Sequence, residues 1–180
     1  PIFGDRIVVM KVGLVQQCAP PLEVYAYPAN AFVARFIGTP PMNLFAGRLE
    51  KTADGFRFLA PTFTIDLPAF MHDSIAGSVG QTVHFGIRPE DLRVEGQQRS
   101  DQTQSLPATM TMQETLGNEL IAHLSSGEQP FICRVDPHDR PDLAGPLRCY
   151  PILERSHLFC GTSERNLTAD AARQAKVAHI

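Results

Sequence analysis

The chain has 180 residues, 43% hydrophobic and 19% charged, which is enough apolar material for a packed core without disulfide or metal staples. Its formal net charge of -3 disfavours nucleic acid as a partner, since such proteins present a basic face. No apolar run approaches the roughly 20 residues that cross a bilayer, so no direct membrane insertion is expected.

Fifteen prolines and thirteen glycines point to short strands and turns rather than long helices. The four cysteines, Cys18, Cys133, Cys149 and Cys160, form no CxxC pair, and their spacing predicts reduced, mostly buried thiols. Opening on Pro1, the chain fits either loss of an initiator Met or excision from a longer polypeptide.

In chain order, the β-branched run Arg6 to Met10, the turn Lys11-Val12-Gly13 and the return Leu14 to Gln17 predict a hairpin. Pro20-Pro21 stops the second strand, and Pro21 can open a helix through Leu22 to Tyr25. Asn30 is placed to cap a second helix, in which Phe32/Phe36 and Val33/Ile37 form an apolar stripe. Gly38 and Thr39-Pro40-Pro41 end it. Two strands and two short helices cannot bury both the hairpin and this stripe, so the section 1–38 must dock elsewhere.

From Met42 the texture becomes short alternating strands: Leu44 to Glu50, Gly55 to Leu59, Phe63 to Leu67 and Thr82 to Arg88, the last stopped by Pro89. Pro89-Glu90-Asp91 predicts one helical turn with acids at its N-terminus, and Leu92 to Glu95 resumes the strand. Gly96 to Ser105 holds no apolar residue and reads as a solvated loop. Gly117-Asn118 predicts a tight hairpin between Ala108–Leu116 and Glu119–Leu124. Phe131 to Val135, Leu147 to Tyr150 and Ser156 to Cys160 complete the set of a small barrel or sandwich. Thr168 to Ile180 has Ala-rich helix propensity but little apolar face and is expected to fray or be disordered.

Chemistry-bearing patterns are weak. Asp136, His138, Asp139 and Asp142 sit in a Pro-punctuated loop, where solubility explains them better than a metal, and the histidines share no ligand spacing. No nucleophile elbow occurs. Phe56, Phe58 and Phe85 could stack bases, but a barrel core needs such rings anyway. No metal, cofactor or catalytic residue is expected, and the chain reads as non-enzymatic.

Tyr25-Ala26-Tyr27-Pro28-Ala29-Asn30, Phe36-Ile37-Gly38, Pro41-Met42-Asn43, Phe85-Gly86-Ile87-Arg88-Pro89-Glu90 and Glu114-Thr115-Leu116-Gly117 together resemble the C-terminal part of maltose-type and glycerol-phosphate-type ABC importer ATP-binding subunits. The resemblance runs from about Gly4 to Leu167. It implies a mainly β fold, a small oligosaccharide-binding-like (TOBE or molybdate-binding-like) barrel with a short α/β appendage. It divides the chain into the end of a nucleotide-binding domain (1–38), a linker and first strand (39–48), the regulatory barrel (49–167) and a flexible tail (168–180). No Gly-rich phosphate loop ending in Gly-Lys-Ser/Thr occurs in these 180 residues.

The implied function is a regulatory and dimerisation module in sugar or glycerol-phosphate import, without ATP hydrolysis by this chain. A small-ligand module for an oxyanion or sugar effector is the alternative. Implied partners are a second copy through the barrel, and an ABC ATPase, permease subunit or regulatory protein, on the cytoplasmic side and peripheral to the membrane. Arg88, Glu90, Glu114, Gly117, Asn118 and Glu119 are the candidate interaction residues, with hairpin and cap chemistry as the simpler explanation. The chain departs from the family in carrying Val12-Gly13 for Asp-Gly in the first turn and Ala19-Pro20-Pro21 for Gly-Thr-Pro.

Overall fold

In a computed structural model, residues 5–96, 102–117, 119–136 and 145–177 are described. The predicted hairpin forms from β1 (Ile7–Lys11) and β2 (Leu14–Ala19), paired antiparallel with a register shift between Val9 and Met10. Its turn holds Val12 at φ 49° and Gly13 at φ 77°. Two positive φ values suit a tight hairpin, but a β-branched residue there is strained.

Helix α1 (Pro21–Ala26) has Pro at its first position, and α2 (Ala31–Phe36) is capped by Asn30, whose side chain accepts from the Val33 N–H at 2.9 Å. The bulge leaves one hairpin face on these helices: Val9, Ala19, Val24 and Val33 form a small core of their own. Of the expected stripe one residue is buried, and Phe32 and Ile37 are half-buried. Val33 is inside, while Phe36 is 64% exposed and stacks on Phe32 at 5.7 Å.

The remaining strands form two five-stranded antiparallel sheets. In chain order they are β3 (Asn43–Lys51), β4 (Phe56–Leu59), β5 (Thr64–Asp66), β6 (Thr82–Ile87), β7 (Leu92–Val94), β8 (Leu106–Leu116), β9 (Glu119–Ser126), β10 (Gln129–Val135), β11 (Pro146–Pro151) and β12 (His157–Cys160). One sheet runs β12-β6-β3-β4-β5 and the other β10-β9-β8-β11-β7.

The two sheets share one core, built from Phe45, Phe58, Phe85 and Ile87 of the first and Leu92, Leu106, Leu124 and Cys133 of the second. Phe58 and Phe85 stack inside it at 5.5 Å, so the rings weighed as base platforms are core. Phe56 is half-buried, edge-on to His72. A short helix α3 (His72–Ile75), which no periodicity announced, closes the core with Met71 and Ile75.

Asn43 joins the two sheets. Its amide donates to the Ile132 carbonyl and its oxygen accepts from the Ile132 N–H, both at 2.8 Å. Ile132 lies on the edge strand β10, whose outward backbone groups have no ladder partner on that side among the described residues. A carboxamide supplies both a donor and an acceptor, which is what a strand edge presents.

Where a flexible tail was expected from 168, residues 169–177 form helix α4 (Ala169–Val177). Ala172 is buried, and Arg173 bonds Glu23 of α1 at 2.8 Å and lies over the Tyr27 ring. The helix has little apolar face, so charge pairing and small size seat it rather than a hydrophobic stripe. Among the described residues no helix is long and apolar enough to cross a membrane.

Candidate functional site

The N-terminal section is sewn to the barrel by polar groups. Arg88, at the end of β6, is 3% exposed. It donates to the Ile37 carbonyl at 2.9 Å and to the Tyr25 carbonyl at 2.6 Å, with its guanidinium 3.5 Å from the centroid of the Tyr25 ring. These are carbonyls at the ends of α2 and α1, which lack helical partners and need donors. Burial lowers the Arg88 pKa from its ordinary value, opposed by Tyr25 and Glu90. Glu90 accepts from the Tyr25 hydroxyl, and burial together with that carboxylate pushes the phenol up to about 12.

Asp91, also buried, accepts from Arg155 at 2.8 Å. Desolvation raises its pKa and the Arg155 bond works against that rise. Asn166 forms a second seam. Its amide donates to the Pro28 carbonyl at 2.8 Å and lies 3.3 Å from Nδ1 of His157, while its oxygen accepts from Thr168. Burial, and then the Arg88 charge, pull the His157 pKa down to about 4, so the imidazole is neutral at physiological pH.

Between these seams opens a cleft of about 510 Å³. Tyr25, Ala26 and Tyr27 line it from the N-terminal section, Phe70, Arg88 and Glu90 from the barrel, and Ala172 and Ala175 from α4. Asp91, Glu154, Arg155 and His157 complete the wall.

Of the candidate interaction residues, the structure brings Arg88 and Glu90 together here, the first as an internal clasp rather than an exposed turn residue. Glu114, Gly117 and Glu119 stand apart from them on the β8–β9 hairpin. Glu114 pairs with His123 at 3.1 Å, Glu119 with Arg134 at 3.7 Å, and Gly117 takes φ 62° in the turn. Asn118 lies outside the described residues, as do His138, Asp139 and Asp142 of the acidic loop. Among the described residues no cluster of potential metal ligands occurs. Sequence reasoning missed Tyr25, Asn43, Arg155, His157 and Asn166 as positioning groups. Tyr25 and Asn43 sit within strings already read as motifs and His157 in a predicted strand, whereas Arg155 and Asn166 carried no signal.

The chain matches the MalK OB fold domain over residues 38–92 and the TOBE domain over residues 85–146. It is 33% identical over 159 residues to the sn-glycerol-3-phosphate import ATP-binding protein UgpC of Escherichia coli K12, covering 88% of this chain and 42% of that one. It is 36% identical over 144 residues to YurJ of Bacillus subtilis, an uncharacterized ABC transporter ATP-binding protein, covering 78% and 39%. The chain therefore belongs to the OB fold and TOBE domain part of the ABC importer ATP-binding subunit family. It spans about two-fifths of the length of these curated relatives. The fold is also that of the cytoplasmic molybdate-binding protein ModG, with TM-score 0.50 at 13% identity over 64% of this chain and 94% of ModG.

Proposed function

We propose that this chain is a regulatory and dimerisation module of an ABC importer ATP-binding subunit of the sugar or glycerol-phosphate type, working on the cytoplasmic side through protein contacts. ATP is bound and cleaved by other residues than these 180, among which no phosphate-loop sequence occurs.

The observation that carries this reading is the exposed apolar surface of the hairpin, with Val8, Met10 and Val15 on one face and Leu14 on the other. Val8, Met10, Leu14 and Val15 are each more than half exposed, and Leu22 of α1 is 84% exposed beside them in sequence. Five large apolar side chains in one section exceed the scattered exposure of an ordinary surface and mark a contact surface. The edges of a two-stranded sheet add backbone donors and acceptors for a neighbouring body.

Binding of the chain to the ATP-binding part of E. coli UgpC, followed by interferometry, tests this. Association that Leu14→Asp abolishes and Glu154→Gln leaves intact is expected. No association, or association indifferent to Leu14→Asp, overturns it. Phosphate release from Mg-ATP by the chain alone is expected to stay at the buffer rate.

A second reading, a small-ligand effector module, is favoured by the junction cleft. Its walls come from three separate parts of the chain, so an occupant would fix them relative to one another.

A further inference from the structure

We infer that the junction cleft takes a neutral polyhydroxylated ligand of mono- to disaccharide size, and not an oxyanion; this rests on the small-ligand reading. At about 510 Å³ the cleft falls within the roughly 300–1,000 Å³ of small-molecule sites. Its apolar wall is made of aromatic rings, Tyr25, Tyr27 and Phe70, set against the small side chains of α4. Arg88 covers one face of the Tyr25 ring and Arg173 one face of Tyr27, so the remaining ring surface, with Phe70 and the α4 methyl groups, is what suits the C–H face of a pyranose.

The charges decide against an anion. Three carboxylates, Glu90, Asp91 and Glu154, face two guanidiniums. Arg88 is turned inward, its donors given to the Ile37 and Tyr25 carbonyls and its face to the Tyr25 ring. Arg155 is bonded to Asp91 at 2.8 Å. His157 is 4% exposed and neutral, shared with Asn166. An oxyanion needs several uncommitted N–H donors; Arg88 gives its own to the protein, and Arg155, exposed and tied to Asp91 through one nitrogen, stands among three carboxylates that oppose a negative ligand. What remains are carboxylate oxygens, which accept from hydroxyl groups. Glu154 is exposed and carries the acceptor least tied to the fold.

The test is an amide NMR titration of the 180-residue chain with maltose and, separately, with sodium molybdate and sodium sulfate. Saturable shifts of the Ala26, Phe70 and Ala172 resonances with maltose, at millimolar affinity or tighter and indifferent to salt, are expected. Glu154→Gln is expected to weaken that affinity at least threefold while leaving the melting temperature unchanged, and Phe70→Leu to weaken it with the fold intact. Molybdate or sulfate moving these resonances while maltose does not would overturn the ligand class and leave the small-ligand reading standing. Maltose shifts confined to other residues, such as the β8–β9 hairpin, overturn the site. Silence with all three probes overturns both.

Discussion

Replacing Arg88 by Ala removes the clasp between the barrel and the N-terminal helices. Two carbonyls, of Tyr25 and Ile37, lose a charged donor. Hydrogen bonds to charged groups contribute about 1.5–3 kcal/mol each, and a desolvated guanidinium over a ring about 2 kcal/mol. Against this gross loss, the folded state no longer carries a cation at 3% exposure, which recovers several kcal/mol of desolvation. The net cost should be about 2–4 kcal/mol. Urea unfolding followed by far-UV circular dichroism reads this as a lower midpoint with an unchanged slope. Arg88→Met keeps the aliphatic stem and should cost nearly as much, because the unpaired carbonyls dominate. Tyr25→Phe removes only the hydroxyl bonded to Glu90 and should cost about 1 kcal/mol. An Arg88→Ala chain within about 0.5 kcal/mol of the parent, the spread of ordinary surface substitutions, would refute the clasp.

Asn43→Ala strands the Ile132 N–H and carbonyl at the edge of β10 and should lower stability by about 2–3 kcal/mol, measured by the same unfolding curves. Val12→Asn relieves a β-branched residue at φ 49° and should raise stability by about 1 kcal/mol; a neutral or negative change would contradict the strained turn. His157 is held neutral down to about 4 by burial and by Arg88, while an unfolded histidine takes its proton near 6.5. Its contribution is therefore complete above about pH 6.5 and is lost as pH falls toward 4, roughly 3 kcal/mol in all. Asp91, whose pKa is raised, works in the opposite sense at the acid end. His157→Gln should flatten the decline in melting temperature between pH 6.5 and 4. With a thiol reagent near pH 8, exposed Cys18 and half-buried Cys160 should react in the native protein, the latter because the Ser163 hydroxyl and nearby N–H groups lower its pKa. Cys133 and Cys149, both raised by burial and the latter to about 12, should react only on unfolding.

Local signals carried most of the elements. The hairpin at Val12-Gly13, the Pro21 helix start, the Asn30 cap and the strand breaks at Pro89 and Gly117 all follow from residues a few positions apart, where backbone sterics and capping act. The pairing order was not legible. That β11 lies between β8 and β7, and that β12 returns to β6, depends on contacts across most of the chain, which alternation alone does not encode.

The site was harder still. Arg88 reads from sequence as a charged residue before a Pro turn, hence exposed. It is buried because the ends of two helices, more than 50 positions away, present carbonyls to it. The docking of helix α4 hid for the converse reason: its Ala-rich helix propensity was legible, but its sequence has little apolar face, and the Glu23 and Tyr27 that receive Arg173 are known only once the fold is formed. The cleft gathers Tyr25, Phe70, His157 and Ala172 from four elements, so no motif could contain it.

Light scattering coupled to size exclusion, over micromolar to hundred-micromolar concentrations, tests most directly that this chain works by pairing. A mass of twice 19.8 kDa that persists in Leu14→Asp is expected, because the second copy joins through the barrel and the hairpin serves a different body. A mass of 19.8 kDa across the whole range would contradict the dimerisation module, and a dimer dispersed by Leu14→Asp would move the pairing face to the hairpin.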